Sequence, residues 1–154
     1  MTLVRSVAEA EQRWFFGGGI HTWLASPEDT GGAYLLIHDA LEGGKTTPLH
    51  VHPDSDETFY VLSGEIRVHL DGVDHAVTTG GIAMASRGVP HAFLVTSPTA
   101  ELLYLHTPGA CAAFYRAASE PLGDERQVDF DRVRAAATSD PGIELLGPPP
   151  FTQP

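Results

Sequence analysis

Residues 44–64 read GKTTPLHVHPDSDETFYVLSG, and this stretch decides the fold. His50 and His52 are two positions apart on an apolar strand, so their side chains point to the same face of a sheet. Four turn residues follow, and the next strand begins at Glu57. If the two strands pair as an antiparallel hairpin, Glu57 lies opposite the histidines, and a closed barrel could bring His91 to the same interior position. The pattern therefore predicts a metal site formed by His50, His52, Glu57 and His91.

The residue types of this predicted site indicate which ion it binds. Three imidazoles and one carboxylate suit a divalent first-row transition metal (Mn, Fe, Co, Ni, Cu or Zn), whereas Ca and Mg prefer oxygen ligands. The lack of thiolate ligands argues against structural zinc. A six-coordinate ion would keep two open positions and a net charge of about +1, which attracts enolate or phenolate oxygens. Of the other histidines, only His106 lies near enough to a strand end to reach the cavity.

Composition limits the class of protein. The chain has 154 residues with 42% hydrophobic residues, 16 glycines and 12 prolines, which indicates a single globular domain over residues 1–154. A net charge of −11 with nine basic residues argues against nucleic acid or an anionic membrane as partner. One cysteine excludes an intrachain disulfide, and we expect a cytoplasmic protein because no signal peptide or membrane-spanning run is visible.

Short apolar or alternating runs separated by turn residues predict an all-β sandwich or barrel over about residues 17–107. Asp71-Gly72 is a pair that closes a tight hairpin. After the barrel comes an extension over about residues 108–154. In it we expect two short helices that cover the outside of the barrel, at 110–118 and at 130–137, the second with Asp129 as N-cap. The proline-rich tail from Gly147 should lie extended on the surface. The predicted strands are 20–25, 33–40, 48–52, 57–62, 65–70, 73–77, 82–85, 91–96 and 100–106.

These residues resemble the cupin superfamily. The first cupin motif is complete, at Gly44, His50, His52, Glu57 and Gly64. The second is matched by Gly80, Gly88 and His91, with Ser86 and Val95 in place of the usual proline and asparagine. The resemblance implies a double-stranded β-helix, or jelly-roll barrel, and keeps all four metal ligands. The glycine-rich segment 14–19, Pro108-Gly109 and the segment 142–149 also look like bacterial cupins described as quercetin dioxygenase-like.

The resemblance implies a dioxygenase that acts on an enol or phenolic small molecule, flavonol-like or polyketide-like, with Glu57 as ligand and possible proton acceptor. Strand parity places Phe59, Val61, Phe93 and Val95 on the substrate side, although each could equally be barrel core. Two alternatives remain open: a cyclase or isomerase that uses the ion only as a Lewis acid, and a non-catalytic binder of small molecules. Open sheet edges and an N-terminal segment (3–16) with no evident core predict a homodimer.

Overall fold

The structure, a computed structural model, describes residues 2–152 and is built mainly of antiparallel strands. Short helical segments are the 3-10 helix Val7–Glu9 and α1 (Pro27–Thr30), α2 (Ala112–Ala117) and α3 (Phe130–Ser139). The strands are β1 (Glu11–Phe15), β2 (Ile20–Ala25), β3 (Leu35–Glu42), β4 (Leu49–Val51), β5 (Asp56–Ser63), β6 (Glu65–Leu70), β7 (Val73–Thr78), β8 (Ile82–Ala85), β9 (His91–Val95), β10 (Thr99–Thr107), β11 (Ser119–Pro121) and β12 (Glu144–Gly147).

Two sheets carry these strands. The seven-stranded sheet has the order β11-β1-β2-β3-β10-β5-β8, and the five-stranded sheet has the order β12-β4-β9-β6-β7. This arrangement confirms the predicted all-β jelly-roll class, although across residues 2–152 the sheets stay separate and do not close into one hydrogen-bonded barrel. Apolar side chains that alternate along the strands fill the space between the sheets, among them Ile37, Val61, Ile66 and Leu102.

The Asp71-Gly72 hairpin forms as predicted. Leu70 pairs directly with Val73, and the two turn residues have φ values of 47° and 85°. Positive φ at both positions is typical of the turn that matches the twist of an antiparallel pair, and a short polar residue followed by glycine tolerates it at low cost.

The predicted hairpin between the strands that carry His50 and Glu57 is wrong. β4 pairs with β9 and β12, whereas β5 pairs with β8 and β10 in the other sheet. The turn residues between them cross from one sheet to the other, and Ser55 Oγ donates a hydrogen bond to the Pro108 carbonyl at this crossing. Glu57 therefore faces the histidines across the interior rather than from a neighbouring strand.

The segments outside residues 17–107 contribute more than was expected. β1 lies between β2 and β11, and β12 extends the five-stranded sheet, so Gly147 is paired with Leu49 and only the prolines after it lack a strand partner. Both predicted helices form, and the Asp129 side chain caps α3 as expected. Their position differs from the prediction, because Phe114 of α2 and Val133 of α3 line an internal cavity instead of only covering an outer face. No helix within residues 2–152 has the length and apolar character needed to cross a membrane.

Candidate metal centre

The four predicted ligands meet between the two sheets. His50 of β4 is paired with His91 of β9, which sets their rings side by side with centroids 4.3 Å apart. His52 follows β4, and Glu57 projects from β5 of the opposite sheet. The ligand atoms of all four lie within 4.8 Å of one another, and all four residues are buried. The structure thus brings together the whole predicted set, although the cross-sheet geometry differs from the expected hairpin.

One carboxylate oxygen is the centre of this cluster. Glu57 Oε2 lies 2.7 Å from His91 Nε2, 3.1 Å from His52 Nε2 and 3.8 Å from His50 Nε2. Two ligands that each bind one ion at about 2.1 Å can be separated by up to about 4.2 Å. All three distances fall within that limit, so Glu57 lies close enough to each of the three histidines to share a single ion with it.

The other nitrogen of each imidazole is held by the backbone. His50, His52 and His91 each donate a hydrogen bond from Nδ1 at 2.8 Å, to the carbonyl oxygens of Pro48, Gly142 and Val89 respectively. A carbonyl can only accept, so the hydrogen of a neutral ring is on Nδ1 and Nε2 presents a lone pair. This is the outer hydrogen bonding that metal-binding histidines use to hold tautomer and ring orientation.

A bound cation would make this arrangement favourable. Three Nε2 lone pairs and a carboxylate oxygen repel one another, and buried His52 Nε2 has no hydrogen-bond partner among residues 2–152. Burial, together with the neighbouring His91, lowers the pKa of His50 to about 4. Burial also lowers the pKa of His52, but contact with Glu57 outweighs it and leaves that pKa raised. The donor set therefore fits a divalent transition ion, which would satisfy all four groups without a buried imidazolium.

Two further groups border this cluster. His106 is paired with Glu57 across β10 and β5. Its Nε2 lies 3.5 Å from Glu57 Oε1, whereas the other three histidines contact Oε2. Burial lowers the pKa of His106 to about 3. Burial raises the pKa of the Glu57 carboxyl, but the contacts with His106 and the three other histidines hold that pKa well below its ordinary value. Nearby Cys111 is fully buried, and burial raises the pKa of its thiol.

A cavity opens beside the cluster, between the sheets and the C-terminal helices. Its volume is about 40 Å³. His50 and Glu57 line it, and most of its wall is apolar and aromatic. Of the four residues predicted to contact substrate, Phe93 lines this cavity, whereas Phe59, Val61 and Val95 are packed in the core outside its lining. The aromatic wall consists of Phe15, Phe93, Tyr104, Phe114, Tyr115 and Phe130.

The same cavity contains a second polar group that was not predicted from the sequence. Asp39 and His21 are directly paired across β2 and β3, the Tyr104 hydroxyl donates to Asp39 Oδ2 at 2.6 Å, and Lys45 lies nearby on the cavity wall. Asp39 shares the buried face of β3 with apolar residues, and His21 is a polar residue near the start of β2; these positions were the signal available in the sequence. Their meeting depends on strand register, and that is not encoded in local spacing.

Comparison with known proteins gives family matches over the sheets and the candidate centre. The family model described as "Cupin domain" matches residues 38–107. A quercetin 2,3-dioxygenase from Bacillus subtilis (strain 168) is 31% identical over 112 residues, which covers 71% of this chain and 33% of the relative. Protein SchB from Streptomyces halstedii is 31% identical over 91 residues, which covers 58% of this chain and 65% of the relative. The chain thus spans about one third of the first relative and just under two thirds of the second.

Solved structures give the same architecture. A predicted oxalate decarboxylase from Thermotoga maritima superposes with a TM-score of 0.62 at 25% identity, and the match covers 69% of this chain and 99% of the other. KdgF from a Halomonas species gives a TM-score of 0.63 at 18% identity, over 70% of this chain and 94% of the other. At that identity the second match speaks for the fold alone.

Proposed function

Because this chain belongs to the cupin superfamily, we propose that it is a metal-dependent dioxygenase that acts on a small molecule with an acidic enol or phenol oxygen. The observation that carries the proposal is the convergence of three imidazole lone pairs and a buried carboxylate beside a mostly apolar cavity. The relative named quercetin 2,3-dioxygenase supports oxygen chemistry, although this chain covers only a third of it.

His50, His52, Glu57 and His91 would hold the ion, and the Nδ1 hydrogen bonds would keep the three rings aimed at it. When bound, a divalent transition ion would supply a Lewis acid for an anionic oxygen and a redox centre for dioxygen. Three neutral rings and one carboxylate leave a divalent ion with a net charge of about +1. That charge favours the enolate or phenolate form of a substrate.

Glu57 is also the group in position to take the substrate's proton. It lines the cavity and carries a second oxygen, Oε1, that faces His106. Its pKa is well below the ordinary carboxyl value, so Glu57 is a weak base. Proton transfer to it therefore depends on the positive site lowering the pKa of the substrate hydroxyl. Phe93 and Phe114 on the cavity wall limit the access of water to this exchange.

An oxygen electrode tests the proposal. Protein loaded separately with Fe, Mn, Co, Ni, Cu or Zn is supplied with a panel of hydroxypyranones, phenols and flavonols. We expect oxygen uptake with at least one redox-active ion and at least one substrate, and none with zinc. Glu57→Gln should abolish uptake, a loss of at least about a hundredfold, while part of the metal is retained.

The matched control is Glu101→Gln, which makes the same change at an exposed carboxylate that contacts surface His38; it should leave uptake unchanged. Unchanged uptake in Glu57→Gln would contradict the role of that residue. Conversion of a substrate by the zinc protein without oxygen use would favour the Lewis-acid cyclase or isomerase. Tight retention of a panel compound without any product would favour a binding protein.

A further inference from the structure

The second polar group of the cavity carries an unsatisfied buried carboxylate oxygen. The Asp39 side chain is 1% exposed. Its Oδ2 accepts a hydrogen bond from the Tyr104 hydroxyl at 2.6 Å and lies 3.3 Å from His21 Nε2, whereas Oδ1 has no hydrogen-bond partner among residues 2–152. A buried acceptor without a donor costs about 1–3 kcal/mol, and a charged one costs more. Such an oxygen therefore points to a donor that a bound molecule would bring.

The chain passes close to this oxygen at Gly19. A Cβ added at Gly19 would lie 2.5 Å from Oδ1 and 2.9 Å from a Leu41 methyl carbon, and Gly19 has a φ of +117°. Any other residue at this position would collide with the carboxylate, so this close approach requires glycine, and glycine offers the oxygen no side-chain donor. Asp39 and Gly17 both belong to the cavity lining.

Lys45 offsets the negative charge of Asp39 without covering it. Its ammonium group donates to the carbonyl oxygens of Gly17 at 2.6 Å and Thr46 at 3.2 Å, and it lies 5.2 Å from the centre of the Phe15 ring. Hydrogen bonds to two backbone oxygens leave one of its three donors free. Neither of the hydrogen bonds described for this ammonium group goes to Asp39.

The cavity lining therefore includes two polar groups and several aromatic rings. The proposed metal ligands His50 and Glu57 form one group, Asp39 with Tyr104 forms the other, and Phe93 lies in the wall with them. The Phe93 and Tyr104 ring centres are 6.0 Å apart. A cavity of about 40 Å³ is well below the size of a three-ring flavonol and favours a compact substrate.

We propose that Asp39 is a second binding point for the substrate, and that the substrate is a compact single-ring molecule with an acidic oxygen at the metal end and a hydroxyl donor that binds Asp39 Oδ1. This inference rests on the proposed function for the metal end of the molecule. The Tyr104 hydroxyl holds Oδ2 and so leaves Oδ1 as the free acceptor.

Two hydroxypyranones test the inference. Kojic acid has a metal-chelating hydroxy-ketone pair and a distal hydroxymethyl group, and allomaltol has a methyl group in place of the latter. Titration calorimetry on the zinc-loaded protein, in which no redox turnover intervenes, compares the two. We expect kojic acid to bind about tenfold more tightly, because it alone can donate to the carboxylate. Quercetin serves as the size control and should bind far more weakly than either.

Two variants test whether the preference for kojic acid depends on Asp39. Asp39→Asn presents an amide donor in place of the free acceptor if its oxygen stays on Tyr104, so the ratio of the two affinities should fall to about one. Tyr104→Phe leaves the carboxylate intact and should keep the preference for kojic acid. Zinc content and thermal unfolding show that each variant is folded and loaded. If Asp39→Asn does not fold, the ratio of the wild-type affinities for the two compounds still tests the proposal.

Each outcome separates the two proposals. Equal affinity of the wild type for both compounds overturns the role of Asp39 but leaves the metal centre intact. Allomaltol that binds no better with zinc than without it overturns the proposed function, and the inference about Asp39 then falls with it. Tight binding or turnover of quercetin overturns the single-ring substrate and supports the proposed function.

Discussion

Each histidine of the candidate centre has one nitrogen occupied by the backbone and the other directed at Glu57. The carbonyls of Pro48 and Val89 lie two residues before His50 and His91, so these two rings are oriented by their own strand entries. A proline lies two residues before His50 and another lies directly before His91, and each restricts the local backbone. The orientation is therefore present before an ion binds, which reduces the entropy lost on binding.

Lys45, the only lysine in the sequence, provides a prediction about pH and stability. Burial lowers its pKa from 10.5 to about 8. Between about pH 8 and pH 10.5 the Lys45 side chain is protonated in the unfolded chain but not in the native protein. The free energy of unfolding therefore rises with pH across this range. The shift corresponds to about 3 kcal/mol, and the two ammonium hydrogen bonds, at about 1 kcal/mol each, offset most of it at neutral pH.

Lys45→Met should consequently differ from the wild type by no more than about 1 kcal/mol at pH 7. Between pH 7 and pH 10 the wild type should gain about 2 kcal/mol relative to the variant. Urea unfolding at both pH values measures this change, and NMR titration of the single lysine side chain reports its pKa directly. A difference between the two proteins that is independent of pH would contradict the burial of the ammonium.

At the scale of elements, the loop between α3 and β12 orients the third histidine. His52 Nδ1 donates to the Gly142 carbonyl, and the Gly142 amide in turn donates to Asp140 Oδ1 at 2.7 Å. Asp140→Ala should release this loop and weaken zinc binding about tenfold, as measured by competition with a chelator. Asp140→Asn keeps the acceptor and should stay within about threefold of the wild type. Equal weakening in both variants would show that the charge of Asp140, rather than its hydrogen bond, is what matters.

The elements also show how far local sequence could predict the molecule. Asp71-Gly72, the Asp129 cap and the histidine pair depend on neighbouring residues, and all three formed as expected. The hairpin between β4 and β5 was wrong because face parity does not say which strand is the partner. The contact between His52 and Gly142 spans 90 positions. The polar group around Asp39 needs the register of β2 against β3, so neither contact could be inferred from spacing.

At the scale of the whole molecule, the open edge of the seven-stranded sheet bears on assembly. β8 ends that sheet, and Ile82 and Met84 on its outer face are exposed, beside Tyr60 of β5. An exposed edge strand with apolar side chains favours pairing with another chain. The homodimer stays a prediction, and light scattering coupled to size exclusion should give twice the chain mass of 16.5 kDa. A profile at the monomer mass over a wide concentration range would contradict it.

The whole chain carries a net charge of −11, and its interior contains a cluster of three histidines and a carboxylate that could hold a metal ion. The most direct measurement is the metal content of protein purified without added metal, for the wild type and for His91→Ala. We predict about one first-row transition ion per wild-type chain and, for the variant, less than about a tenth of that after dialysis. A wild-type protein that carries no ion and binds none on titration, or a variant that retains as much as the wild type, would contradict the assignment of these four residues.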